Sequence, residues 1–267
     1  MKLKKYLALT RAGVIESLQF RLGLFVIVIG NLLYLTLVYF LWKSIYASAG
    51  TEVVNGLTFH DTLIYLVLAT ALFNFMEMYT VWEIGRNIQS GKIVLDLLRP
   101  MSYRKYLFWS YSGSFVTQFF ATFLPTFIAV TVLTHGAVPV GINLLWFVVS
   151  VILAIIINFS IDFIVGTICL FTESIWGINI MKQVVVLLLS GATIPLAFFP
   201  EGLLKIVKCL PFQSIYNAPL TILLQADPSL EDVLPTIGVQ LLWAVVMLLA
   251  GGLFWKYSLR QITVNGG

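Results

Sequence analysis

Few side chains in this sequence can do chemistry, and most of them interrupt long apolar runs. Asp162 lies in NFSIDFIVG with Asn158 one helical turn earlier on the same face. Glu77 lies in LFNFMEMY near Asn74, and Asn31 stands within a further apolar run. Such groups can line a path for a polar solute or latch two subunits together. They can equally pair within one chain, since hydrogen bonds between helices in a membrane fix orientation. The residues alone leave both open. Asp162 can also carry a proton, which would suit a proton-coupled carrier, although no second acidic residue lies near it in sequence.

Catalytic and metal chemistry find less support. His60 and His135 are lone residues without ligand partners in sequence, and Cys169 and Cys209 have no CxxC spacing. There is no GxxxxGK[ST] phosphate loop, so the chain cannot bind ATP by that route. Neither a nucleophile–base–acid triad nor paired catalytic carboxylates stand out, and no metal site is expected. The basic residues come with no nucleic-acid motif, so lipid headgroups or a protein are the expected partners.

The elements that would hold these residues are set by composition. Of the 267 residues, 60% are hydrophobic and 10% charged, against about 25% charged in soluble domains. Such a chain cannot cover itself with a polar surface, and the expectation is an all-α integral membrane protein. Six apolar segments are predicted near Leu22–Trp42, Thr62–Trp82, Tyr106–Leu133, Asn143–Thr172, Ile178–Phe199 and Leu234–Tyr257. The third and fourth exceed the bilayer thickness and should tilt, kink or project, with Pro125, Gly166 and Pro195 as sites of irregularity. No repeat or linker divides the chain, so residues 1–267 read as one membrane domain.

Charge orients the stack. Lys2, Lys4, Lys5, Arg11 and Arg21 precede the first segment, and Arg86, Lys92, Arg99, Arg104 and Lys105 lie between the second and third. With Lys182, Lys256 and Arg260 they leave only Lys43, Lys205 and Lys208 of the 16 basic residues for the other side. The positive-inside rule then places both termini in the cytoplasm. Residues 1–21 form an interfacial helix, with Leu3, Tyr6, Leu7, Val14 and Leu18 near one stripe and the basic residues near anionic lipid. A first span that starts early is the alternative. The interruptions at Thr10, Arg11 and Glu16 argue against a cleaved signal peptide.

Two connecting stretches carry information. Residues 83–105 divide into EIGRNIQS and IVLDLL, separated by Gly91 and ended by Arg99-Pro100. Two short amphipathic helices there would offer apolar anchors together with charges, as a protein partner requires. A plain solvated loop remains open on these residues alone. Residues 200–225 stay apolar despite their prolines, with short helices expected at Leu203–Leu210 and Phe212–Leu224. They can form a packed outer cap that dips into the outer leaflet, with an ordinary extracellular loop as the alternative.

The six spans, the N-terminal helix, SGKIVLDLLRPMSYRKY and SGATIPLAFFPEGLLKIVKCLPF together resemble the ABC-2 type permeases, the membrane subunits of bacterial ATP-driven exporters. The resemblance covers essentially the whole chain and is most similar to short permeases that work as a pair. It implies a protein of the bacterial cytoplasmic (inner) membrane that joins a second permease, a copy or a sister, and docks ABC ATPase subunits. ATP and Mg would belong to those subunits, with no cofactor in this chain. It also implies a coupling helix carrying Glu83, Arg86, Gln89, Ser90, Gly91 and Lys92, continued by Asp96, Leu97, Leu98, Arg99 and Pro100. An outer gate would fall at Pro195, Phe199, Pro200, Pro211 and Phe212, between spans five and six. The cargo implied is amphipathic or hydrophobic: a drug, lipid or peptide antibiotic.

Overall fold

The computed structural model describes residues 2–19, 21–172 and 175–261. Met1, Phe20, Glu173 and Ser174 fall in the expected N-terminal helix and in the turn after the fourth segment, and lie outside the described residues. So does the side chain of Leu3.

The described chain is mostly helical: α1 is Lys2–Gln19 and α2 is Arg21–Ala49. A small antiparallel hairpin follows, β1 Val53–Val54 and β2 Leu57–Thr58, turned by Asn55-Gly56 with both φ angles positive. Thr58 then starts α3, Phe59–Met76, through a capping box with Asp61. After three non-helical residues come α4, Thr80–Gln89, and α5, Ile93–Leu97. α6, Tyr103–Gln118, runs through a π-helical turn at Phe119–Phe123 into α7, Leu124–Leu133. α8 is Asn143–Ile168, α9 Trp176–Leu189, α10 Glu201–Lys208, α11 Asn217–Leu224 and α12 Leu230–Ser258. A second capping box, Ser229 with Asp232, opens α12.

Among the described residues, five helical segments are long and apolar enough to cross a membrane: 28–49, 59–89, 103–133, 143–168 and 230–258. The protein is therefore an all-α, multi-pass membrane protein. The fifth expected segment differs. α9 has 14 residues, about 21 Å of helix, and stops at Leu189 instead of running on to Phe199. Pro195 accordingly lies outside any α-helix, where it caps a 3-10 turn at Leu196–Phe198.

The other irregularities also have local causes. Pro125 sits in the first turn of α7, and the carbonyl it frees, that of Ala121, falls inside the π-helical turn. Gly166 does not interrupt α8, which runs unbroken from Asn143 to Ile168. It is a close approach: a Cβ there would come within 2.7 Å of Ile84 Cδ1 on α4. The second expected span is not one helix. It breaks at Glu77–Tyr79, where Asn158 Nδ2 of α8 donates to the Met76 carbonyl at 3.0 Å and satisfies an end of α3.

α1 packs along α6 through small residues. A side chain at Gly13 would collide with the backbone of Ser110 and Gly113, and one at Gly113 with that of Thr10 and Val14. Thr10 Oγ1 bonds Ser112 Oγ at 2.7 Å, and Tyr6 stacks on Trp109. The expected single stripe is thus divided. Tyr6 and Val14 turn to α6, while Leu7, Ile15 and Leu18 remain exposed.

Candidate functional site

The stretch between α4 and α6 folds as a helical hairpin. Ile84 and Ile93 are buried in it, and Gly91 turns the chain at φ +70°. That φ is in the left-handed region, which costs glycine little. Across the turn, Asp96 is only 2% exposed. Its carboxylate accepts from Asn87 Nδ2 at 3.0 Å and from Arg99 Nε at 3.0 Å, and pairs with Arg99 Nη2 at 2.9 Å. Asn87 donates also to Glu83 Oε1 at 3.1 Å, and the Arg99 guanidinium lies over the Tyr106 ring at 4.1 Å. One buried carboxylate therefore locks α4, α5 and the start of α6 together. A charge held in this way is costly to leave unpaired, so the hairpin has one preferred shape.

The network sorts the residues that sequence had placed on a docking face. Asp96 belongs to the inside of the hairpin, Leu97 is partly buried, and Glu83 helps to orient Asn87. Arg86, Gln89, Ser90, Gly91, Lys92, Leu98, Arg99 and Pro100 are exposed. Leu95 was missed: it is 66% exposed and lies beside Leu98, which is 77% exposed. Its signal was in the sequence, because in a short helix Leu95 falls opposite the buried Ile93–Asp96 side. The exposed surface thus joins two leucines to Arg86, Lys92 and Arg99.

A family model described as ABC-2 family transporter protein matches residues 32–266. The chain belongs to the ABC-2 transporter family. No curated protein gives a significant match. The matched region starts inside α2, so α1 lies ahead of it. Membership makes this a membrane component of an ABC transporter, of the kind that associates with ABC ATPase subunits and has no ATPase domain of its own.

Within this ABC-2 permease the intramembrane polar residues fall into two sets. Asp162 is fully buried, and Lys182 of α9, itself 12% exposed, stands 2.8 Å from its Oδ1. The two form a buried ion pair. Glu77, at the break in span two, lies within Coulombic reach of both. Asn158 is bound to Met76, next to Glu77. The other set is not brought in. Asn74 donates back to Thr70 on its own helix, and Asn31 on α2 has no hydrogen bond among the described residues. Sequence had counted Lys182 among the basic residues of the cytoplasmic side; the structure makes it the partner of Asp162.

The residues expected at an outer gate divide too. Pro195 and Pro211 are buried, Phe199 and Phe212 partly buried, and Pro200 is exposed at the start of α10. It is Phe198, not named from sequence, that reaches Trp42 of α2, at 4.6 Å between ring centroids. The connection Pro211–Leu224 is held by buried amides from long helices. Gln240 Nε2 donates to the Ser214 carbonyl at 2.8 Å, and Asn143 Nδ2 bonds the Leu223 carbonyl. Tyr65 Oη donates to the Gly191 carbonyl. α11 lies almost wholly inside this packing, with Leu220 and Leu223 fully buried.

Proposed function

We propose that this ABC-2 permease is one half of the membrane channel of an ATP-driven exporter, coupled to its ATPase through the α4–α5 hairpin. The hairpin's exposed Leu95 and Leu98, flanked by Arg86, Lys92 and Arg99 and braced by buried Asp96, carry this reading. Apolar anchors give docking energy, charges fix the register, and a rigid connection passes movement into span two. ATP and Mg stay in the partner subunits. Two permeases, identical or sisters, pair in the bacterial inner membrane with both termini cytoplasmic, and residues 1–267 act as one transmembrane domain.

In this reading α9 and the packed turns after it make the sixth crossing. α10 and α11 form the outer re-entrant cap, gated near Pro195, Phe199, Pro200, Pro211 and Phe212. α1 rests in the interface through Leu7, Ile15 and Leu18. The cargo is amphipathic or hydrophobic and passes between the spans. A proton-coupled carrier built on Asp162 is less well supported, because Lys182 already partners that carboxylate.

Reconstitution with the cognate ATPase tests the coupling. Charge reversal at Arg86 and Lys92 together should weaken ATPase association and transport while the permease folds normally. Intact association and transport in that variant would contradict the assignment.

A further inference from the structure

The break in span two holds more polar chemistry than a bend requires. Asn158 meets Met76, and Gly166 meets Ile84, so the two segments run alongside each other in the same direction. Between those contacts, the register sets Asp162 level with Thr80. Both carry buried oxygens without a hydrogen-bond partner among the described residues: the Asp162 carboxylate, which has only its ion pair with Lys182, and Thr80 Oγ1. Glu77 adds a second carboxylate, half-buried and without a hydrogen bond among the described residues. Its charge acts on the Asp162–Lys182 pair. The titratable groups that act electrostatically on these carboxyls are Lys182 from α9, Tyr216 ahead of α11 and, on Glu77 alone, the exposed Tyr79. With both carboxyls ionised, two carboxylates against one ammonium leave one negative charge over. The carboxyl end of α3, where backbone carbonyls lack helical partners, adds further negative potential.

We propose that Asp162, Thr80 and Glu77 form a binding site for one monovalent alkali cation, Na+ or K+, at the break of span two. Carboxylate, hydroxyl and carbonyl oxygens are the hard ligands such ions take. Unwound segments and half-helix ends are where membrane transporters coordinate them. Lys182 offsets one carboxylate, so a single positive charge completes the balance and a divalent ion would overshoot it. Among the described residues no group of three His, Cys, Asp or Glu side chains could hold a transition metal. A cation here ties the break of span two to α8 where the span can flex. The inference is independent of the cargo and of the ATPase contact.

The test uses the full-length permease in lipid nanodiscs. Thermal unfolding is followed in NaCl, KCl and choline chloride at constant ionic strength and neutral pH, with binding of radiolabelled sodium, competed by potassium, measured in parallel. The expected result is a saturable rise in the unfolding midpoint with Na+ or K+ over choline, together with saturable, competable label. Asp162→Asn and Glu77→Gln lose both. Thr80→Val loses label binding and Thr80→Ser keeps it. Lys182→Gln, which adds to the negative charge, binds label more tightly, and this gain separates lost ligation from misfolding. Equal midpoints in all three salts with background label would overturn the proposal. So would ion dependence that survives in both Asp162→Asn and Glu77→Gln. Full stabilisation in choline at lower pH without label would assign the missing charge to a proton instead, and the proposal would fall.

Discussion

Asp96→Ala is the sharpest perturbation of the α4–α5 hairpin. The substitution removes a buried carboxylate that accepts from Asn87 and Arg99 at 3.0 Å each and pairs with Arg99 at 2.9 Å. Hydrogen bonds to a charged group contribute about 1.5–3 kcal/mol each. Two of them suggest about 3–6 kcal/mol, but the Arg99 side chain is 42% exposed and water screens and replaces its share. Asn87 keeps Glu83 as a partner, which lowers the loss further. The net expectation is about 2 kcal/mol, or about 30-fold in local opening. Amide hydrogen exchange reads this directly at Leu95, Asp96 and Leu98, whose N–H groups bond Lys92 and Val94 carbonyls inside the hairpin. Those amides should exchange about 30 times faster while α8 and α12 keep wild-type protection. Asp96→Asn, which retains an acceptor for Asn87, should fall between. Unchanged exchange at the hairpin in Asp96→Ala would refute the claim that this carboxylate braces it.

Leu95→Glu with Leu98→Glu should leave the thermal midpoint of the isolated permease unchanged, since both side chains are mostly exposed, yet abolish co-purification of the ATPase. Gly13→Leu should separate α1 from α6, because the Cβ alone meets the Ser110 carbonyl. A disulfide engineered between Thr10 and Ser112 would then fail to form in that variant while forming efficiently on the wild-type background. Gln240→Leu removes the donor to the Ser214 carbonyl and the acceptor for Ser150, at a cost of about 1–3 kcal/mol per buried group left unpaired. Its signature is faster exchange confined to the Pro211–Leu224 connection.

How much of this the sequence carried depends on how far apart the deciding residues lie. Asn55-Gly56, Gly91 and the Thr58–Asp61 and Ser229–Asp232 boxes act over a few residues, and each marks a turn or helix start. The membrane class followed from composition, and the first, third and sixth segments from long, predominantly apolar runs. The break at Glu77–Tyr79 left no such trace, for NFMEMYTV contains neither Gly nor Pro. It is stabilised by Asn158, 82 residues away from Met76 in sequence. Gly13 against Gly113 is equally remote, so α1 looked like a helix lying free on the membrane. Lys182 was read by its charge alone, and only packing shows that it answers Asp162. The burial of Asp96 is not legible in IVLDLL alone, because Asn87 and Arg99 close around it once the chain turns at Gly91 and ends its helix before Pro100.

The central claim is that the partner ATPase sits on the α4–α5 hairpin. Photo-crosslinking from Leu95 and Leu98 in the assembled transporter tests it most directly, with Leu203 on α10 as the control at the opposite end. The account predicts an adduct with the ATPase from Leu95 and Leu98 and none from Leu203. An ATPase that co-purifies with the permease yet gives no adduct from either hairpin leucine would contradict it.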